Sequence, residues 1–186
     1  MNPQIRFGED LMSRVSYVMM HPEGAAEMTQ AVRAGINDLI VEVAAEAGID
    51  TGDIVELTVA GNPIMHHLFL GISPVELGSA PFALATDAAV NLWAPELDLD
   101  VNKGARVYVL PCIAGHVGAD AAAMILAEEP HLRDEISLVV DVGRGRGLLE
   151  PAPQHRLALV VPAGRAVQVS QVDVGRREPG RASSGR

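Results

Sequence analysis

The chain has 186 residues, of which 48% are hydrophobic and 20% charged, and its formal net charge is −10. This composition is typical of a globular domain, and no apolar run reaches the roughly 18 residues of a membrane-spanning helix. The acidic balance argues against nucleic acid as a partner, because binding phosphates requires clustered Lys and Arg. The start lacks a secretory signal, and Cys112 is the one cysteine. We therefore expect a cytoplasmic protein without a membrane segment.

The charge is unevenly distributed along the chain. Residues 1–143 contain six basic and 21 acidic side chains, whereas residues 144–186 contain eight basic and three acidic ones. The last 43 residues also lack nine residue types, among them Lys, Ile and Thr. This restricted composition predicts that residues 144–186 are a basic low-complexity tail, non-native or disordered, translated out of frame. A genuine basic tail that binds nucleic acid or acidic surfaces is the alternative.

The first predicted elements are two helices. Leu11, Val15 and Val18, together with Met12 and Met19, share one helical stripe within residues 9–20. Residues 23–47 carry apolar side chains at steps of three and four and are followed by a glycine, which predicts a longer helix ending there.

Strands then alternate with helices. Residues 53–61 are rich in β-branched side chains and predict a strand, followed by a helix over residues 64–70. Residues 71–104 contain three prolines among residues of little periodicity, so no regular unit is expected there. Two further strands are expected over residues 106–113 and 136–142. A helix of small residues is expected between them, over residues 118–129. This alternation predicts an α/β fold.

Two junctions join a strand to glycines, at residues 110–120 and 139–147. In α/β folds such junctions bring backbone amides and helix N-termini close to a ligand, which favours phosphate. The stretch Gly-Arg-Gly-Arg-Gly at residues 143–147 is neither a Walker loop nor a dinucleotide fingerprint. An ordinary glycine turn is therefore the alternative to a phosphate site.

The remaining reactive side chains predict no metal centre. His66 and His67 are neighbours on a predicted helix and so point about 100° apart, which does not suit a shared ion. Cys112 lies in an apolar strand and is expected to be an inert buried thiol, and a single cysteine cannot hold an iron–sulfur cluster. His116 is either a ligand contact or a helix-entry residue.

Five blocks of sequence, taken in order, resemble the ATPase region of reductive activators of corrinoid proteins. The resemblance extends from residue 2 to residue 143 and rests on NPQIRFGEDLMSR (2–14), AGNPIMHHLFLGI (60–72), APF (80–82), LPCIAGHVGAD (110–120) and VVDVG (139–143). Such activators belong to the superfamily of acetate and sugar kinases, heat-shock chaperones and actin. The resemblance implies that residues 1–143 are part of an actin-like, two-lobed ATPase fold with ribonuclease-H-like halves.

The resemblance also implies a function. Activators of this family use ATP and magnesium to regenerate a corrinoid (cobalamin) protein of a methyltransferase system, with an electron from a [2Fe–2S] region that this chain lacks. The chain is therefore expected to be a fragment that is inactive alone. Because half of a two-lobed fold leaves apolar surface uncovered, self-association is also expected. A non-catalytic module that binds a corrinoid protein or another partner is the alternative.

Two residues match the start of the family's second phosphate motif, Asp-x-Gly. The resemblance implies that Asp141 orients magnesium-bound water and that Gly143 lets the backbone approach phosphate. Arg144 and Gly145 stand where the family has Thr and Asn. No catalytic residue is assigned.

A second group of residues, most of them small, matches the family's hinge helix between the lobes. Small side chains there allow two helices to cross closely. This group consists of Gly115, Gly118, Asp120 and Ala122.

Overall fold

The computed structural model describes residues 3–8, 10–129 and 132, together with the backbone of three later strands. The chain divides into two compact units, Met1–Leu126 and Ala127–Arg186. The boundary expected from the change in charge, at residue 143, therefore lies inside the second unit.

The first unit contains a three-stranded sheet. Its strands are β1 (Glu56–Val59), β2 (Val90–Trp93) and β3 (Arg106–Val109), in the order β1-β3-β2. β1 runs parallel to β3, with Val59 beside Val109, and β2 runs antiparallel to β3. The parallel pair directs two strands, and the connections that follow them, towards the same edge of the sheet.

Among the described residues, four α-helices occur, all at positions that the sequence predicted. They are α1 (Leu11–Met20), α2 (Gly24–Ala47), α3 (Pro63–Leu70) and α4 (Ala119–Glu128). The carboxylate of Asp10 accepts a hydrogen bond from the Ser13 amide (2.7 Å) and caps α1, while Gly48 ends α2 in the left-handed conformation (φ 69°). None of the helices within the described ranges is long and apolar enough to cross a membrane.

The main core lies between α2 and one face of the sheet. Its buried members are Val32, Phe69, Ala94, Leu97, Leu99, Ala105, Val107 and Val109. A second cluster joins α1, α2 and α3 through Val15, Met28, Ile64, Leu68 and Leu77. The buried hydroxyl of Thr29 donates to the Leu68 carbonyl (2.6 Å), so α2 fixes α3 by a polar contact as well as by packing.

The region 71–104 is more regular than the sequence indicated. It contains β2 and two short 3₁₀ helices, Val75–Gly78 and Ala94–Leu97. The expectation of no regular unit was wrong there, because β2 has only four residues and too few alternations to stand out among prolines.

The second unit contains an antiparallel sheet of β4 (Ser137–Val142), β5 (Arg156–Val161) and β6 (Gln168–Val172), in that order. The predicted strand over residues 136–142 is confirmed. Its partner, however, comes from the segment expected to lack packed structure, because β5 reads Arg-Leu-Ala-Leu-Val-Val and is locally a good strand former. An out-of-frame origin for residues 144–186 stays a prediction.

Candidate functional site

The candidate site lies where the parallel strands β1 and β3 end. β1 continues through Gly61 and Asn62 into α3, and β3 continues through residues 110–118 into α4. Open α/β sheets bind ligands beyond the carboxyl ends of their parallel strands, next to helix N-termini. We call this region, with the loop Ser79–Ala85 that covers it, the carboxyl edge.

The N-terminus of α3 is held by its own sequence. The Asn62 side-chain oxygen accepts a hydrogen bond from the Met65 amide (2.9 Å), and Pro63 occupies the first helical turn, where no amide is required. The Asp120 amide donates to the Gly61 carbonyl (3.2 Å). The starts of α3 and α4 are therefore joined directly.

Gly118 makes that junction possible. A Cβ atom at this position would lie 2.7 Å from both the Asn62 Cα and the Pro63 Cδ. Because carbon atoms do not approach so closely, any side chain would force the two segments apart.

The loop Ser79–Ala85, which we call the Phe82 loop, packs on the segment before α4. Phe82 has a left-handed backbone (φ 57°), and its carbonyl oxygen lies where a Cβ atom on Gly115 would stand. The rings of Phe82 and His116 are in contact, with centroids 4.1 Å apart and planes at 59°. His116, predicted as a ligand contact or a helix-entry residue, thus has an aromatic partner in the loop.

Both histidines of α3 are buried. The His67 Nδ1 lies 2.9 Å from the Pro63 carbonyl oxygen, and its Nε2 accepts a hydrogen bond from the Ala85 amide (3.0 Å). Burial lowers the pKa of His67, and the Pro63 carbonyl partly opposes that effect. The pKa of His66 is lowered mainly by burial and, to a smaller extent, by the electrostatic effect of the nearby His67. Both rings therefore favour the neutral state.

The two imidazoles lie closer together than simple helical geometry suggested, with their Nδ1 atoms 3.4 Å apart. Within residues 3–129, apart from the undescribed position 9, no group of three or more His, Cys, Asp or Glu side chains could hold a metal ion.

Cys112 is buried, with 4% of its surface exposed. Burial raises the pKa of its thiol; the Ala119 backbone opposes this, while the carboxylates of Asp120 and Asp87 add to it. The environment therefore disfavours the nucleophilic thiolate.

The small residues predicted for a hinge helix fall into two places. Asp120 and Ala122 lie in α4, whereas Gly115 and Gly118 precede it. The contacts described above join Gly115 to the Phe82 loop and Gly118 to the start of α3. The role of these residues between lobes stays a prediction.

The predicted phosphate residues lie in the second unit. Asp141 is in β4, opposite Leu157 of β5, and Gly143 lies outside the described residues. Their contact with phosphate or magnesium stays a prediction.

A separate cavity of about 530 Å³ lies between α2, α3 and the sheet. Its lining is mainly apolar, with Val59 and Val109 from the sheet, and includes the carboxylates Asp38 and Glu42. The cavity reaches the carboxyl edge at Gly61 and His66, but none of the residues predicted for phosphate or hinge roles lines it.

Comparison with known proteins identifies the family. The model of the RACo middle region matches residues 1–133, which is well over half of the chain. The chain belongs to the RACo middle region family. The resemblance to reductive activators of corrinoid proteins is thereby confirmed at the level of the family.

Two individual proteins show the same relationship. The chain is 35% identical over 144 residues to the corrinoid activation enzyme RamQ of Eubacterium limosum, covering 77% of the chain and 24% of that enzyme. It is 32% identical to a solved structure described as a reductive activator for corrinoid, iron–sulfur protein, with a TM-score of 0.78. That similarity covers 87% of the chain and 24% of the solved protein. The chain thus spans about a quarter of the length of each.

Proposed function

We propose that these residues form part of an ATP-dependent activator that reductively regenerates a corrinoid protein. The observation that carries the proposal is the match of residues 1–133 to the RACo middle region. The similarity to a reductive activator structure, at a TM-score of 0.78, supports the same conclusion from the fold. Because the chain spans 24% of these relatives, we further propose that it is inactive in isolation.

The nucleotide is proposed to bind as in actin-like, two-lobed ATPases, with Asp141 and Gly143 at the phosphates. The support is chemical: an acidic residue near the end of a strand can orient magnesium-bound water, and a glycine admits phosphate close to the backbone. Magnesium is proposed to lie between Asp141 and the phosphates, because nucleotide-bound magnesium usually takes only one or two carboxylates together with phosphate oxygens.

The iron–sulfur cluster of the proposed activator does not fit this chain. A [2Fe–2S] cluster is held by four cysteine thiolates, and the chain has Cys112 alone, buried and with a raised pKa. We therefore propose that the electron for the corrinoid comes from a polypeptide segment outside these 186 residues.

The proposed partner is a corrinoid protein of a methyltransferase system. The first unit carries exposed apolar side chains on α1, among them Met12, Met19 and Met20, which are 51%, 67% and 71% exposed. Methionine-rich surfaces adapt readily to partners, so this face suits either the corrinoid protein or self-association.

An exchange experiment tests the proposal. The matched segment of RamQ is replaced by the corresponding residues of this chain, and reduction of cob(II)alamin on a corrinoid protein is followed by absorbance. We expect ATP-dependent reduction by the exchanged enzyme, none by a version lacking the segment, and no magnesium-dependent ATP turnover by the isolated chain. A folded exchanged enzyme that binds the corrinoid protein without reducing it would favour a non-catalytic interaction module.

A further inference from the structure

The Phe82 loop contacts the rest of the first unit through three of its residues. Phe82 packs on Gly115 and His116, as described above, and Leu84 packs against the buried clusters that contain Leu68 and Leu110. At the end of the loop, the Ala85 amide donates to the Nε2 of His67. Within the loop, the Phe82 amide donates to the Ser79 carbonyl (2.7 Å), which shapes the turn but does not anchor it to α3.

His67 uses both ring nitrogens in this attachment. Because Nε2 accepts from Ala85, the proton of the neutral ring is assigned to Nδ1, which donates to the Pro63 carbonyl. The His67 side chain is 1% exposed, so water cannot readily take the place of a partner at either ring nitrogen, whereas Ala85 itself is exposed. The ring therefore connects the first turn of α3 to the end of the Phe82 loop through one acceptor and one donor.

We propose that His67 is the positioning residue that holds the Ala85 end of the Phe82 loop against α3, and that protonation of its ring releases this end of the loop. A protonated imidazole donates from both nitrogens, so its Nε2–H would face the Ala85 N–H and the hydrogen bond would be replaced by repulsion between donors. The inference rests on these contacts and not on the proposed ATP-dependent function.

The direction of the pH effect follows from burial. Burial lowers the pKa of His67 in the folded protein, so the attachment is complete above its ordinary pKa of about 6.5 and is lost as the pH falls through the lower folded value. The ionisable side chain beside His67 is His66 on the same helix, with ring centroids 5.4 Å apart, whereas His116 contacts Phe82 within the loop. The carboxylates of Asp87 and Asp120, from the segment after the loop and from α4, act on Cys112.

Amide hydrogen exchange of the whole chain, measured by NMR from about pH 8 down to the lowest pH at which the Leu110 amide stays protected, tests the inference. The readout is the protection of Ala85, with the Leu110 amide, which donates to Val59 (3.0 Å), as the reference for the sheet. In the unmodified chain, we expect Ala85 protection to fall relative to Leu110 as the pH is lowered through the folded pKa of His67. Constant relative protection would overturn the inference.

Three variants separate the contribution of His67 from general stability. His67→Gln keeps an acceptor for Ala85 without titrating, so its relative protection should be independent of pH. His67→Phe keeps a ring without an acceptor and should lose Ala85 protection at every pH. If the Leu110 amide loses protection too, the variant is destabilised as a whole, and the pH profile of His67→Gln then decides whether His67 holds Ala85. His116→Phe keeps the contact with Phe82 and should retain the pH dependence. A His67→Gln profile like that of the unmodified chain, or a flat His116→Phe profile, would contradict the inference.

Discussion

Substituting Gly118 by alanine tests the geometry of the carboxyl edge. The new Cβ would lie 2.7 Å from the Asn62 Cα, the Pro63 Cδ and the Asp120 Oδ1. The Asp120 carboxylate can rotate away, but the other two contacts involve backbone and a proline ring, which cannot move without displacing the start of α3. Overpacking of this kind costs about 1–3 kcal/mol, so we expect the free energy of unfolding to fall by that amount.

Urea unfolding followed by the fluorescence of Trp93 measures this loss. Trp93 is the one tryptophan of the chain, lies in β2 and packs against the Arg106 guanidinium, 4.1 Å from the ring centroid, so it reports on the first unit. Gly104→Ala is the matched control, because its nearest contact would be the Asn102 Oδ1 at 3.4 Å, and it should change stability by less than about 0.5 kcal/mol. Equal effects of the two substitutions would refute the close approach at Gly118.

Two further predictions concern residues of the same edge. Asn62→Ala removes the cap of α3 and should cost about 0.5–2 kcal/mol in the same urea assay, whereas Asn62→Ser keeps an acceptor and should cost less; equal losses would exclude a capping role. Cys112 should react with iodoacetamide at least about tenfold more slowly in the folded chain than in urea at the same pH, since burial raises the pKa of its thiol, and equal rates would show an accessible thiolate.

The helices of the first unit were predictable because their signals are local and repeated. The apolar period of α2 continues for 24 residues and ends at a glycine whose left-handed backbone suits that residue. β1 and β3 were predictable from short runs of β-branched residues. β2 was not, since four residues between prolines give no period and its place in the sheet depends on pairing with β3.

The carboxyl edge was predictable only in part. Glycine junctions after β1 and β3 indicated where backbones approach, and the Asn-Pro pair at residues 62–63 is a recognisable start of a helix. The contact of the Phe82 loop with His116, and the bond between His67 and Ala85, join residues 34 and 18 positions apart, respectively. No local pattern encodes such pairs, because they arise when separate elements pack together.

In the second unit, the amino-acid composition predicted less regular structure than the fold contains. The composition of residues 144–186 predicted a tail without packed structure, although β5 contains five consecutive apolar residues and pairs with β4 throughout its length. An average over a whole segment concealed a local strand signal.

The most direct test of the proposed function is the RamQ exchange with residues 1–143 of this chain, carried out with and without an Asp141→Ala substitution. Cob(II)alamin reduction is measured at fixed corrinoid protein concentration, in the presence and absence of ATP and magnesium. The proposal predicts ATP-dependent reduction by the exchanged enzyme and its loss in the Asp141→Ala form, with binding of the corrinoid protein retained. ATP-dependent reduction that is unaffected by the substitution would contradict the assignment of Asp141, and a folded exchanged enzyme without any ATP-dependent reduction would contradict the proposed function itself.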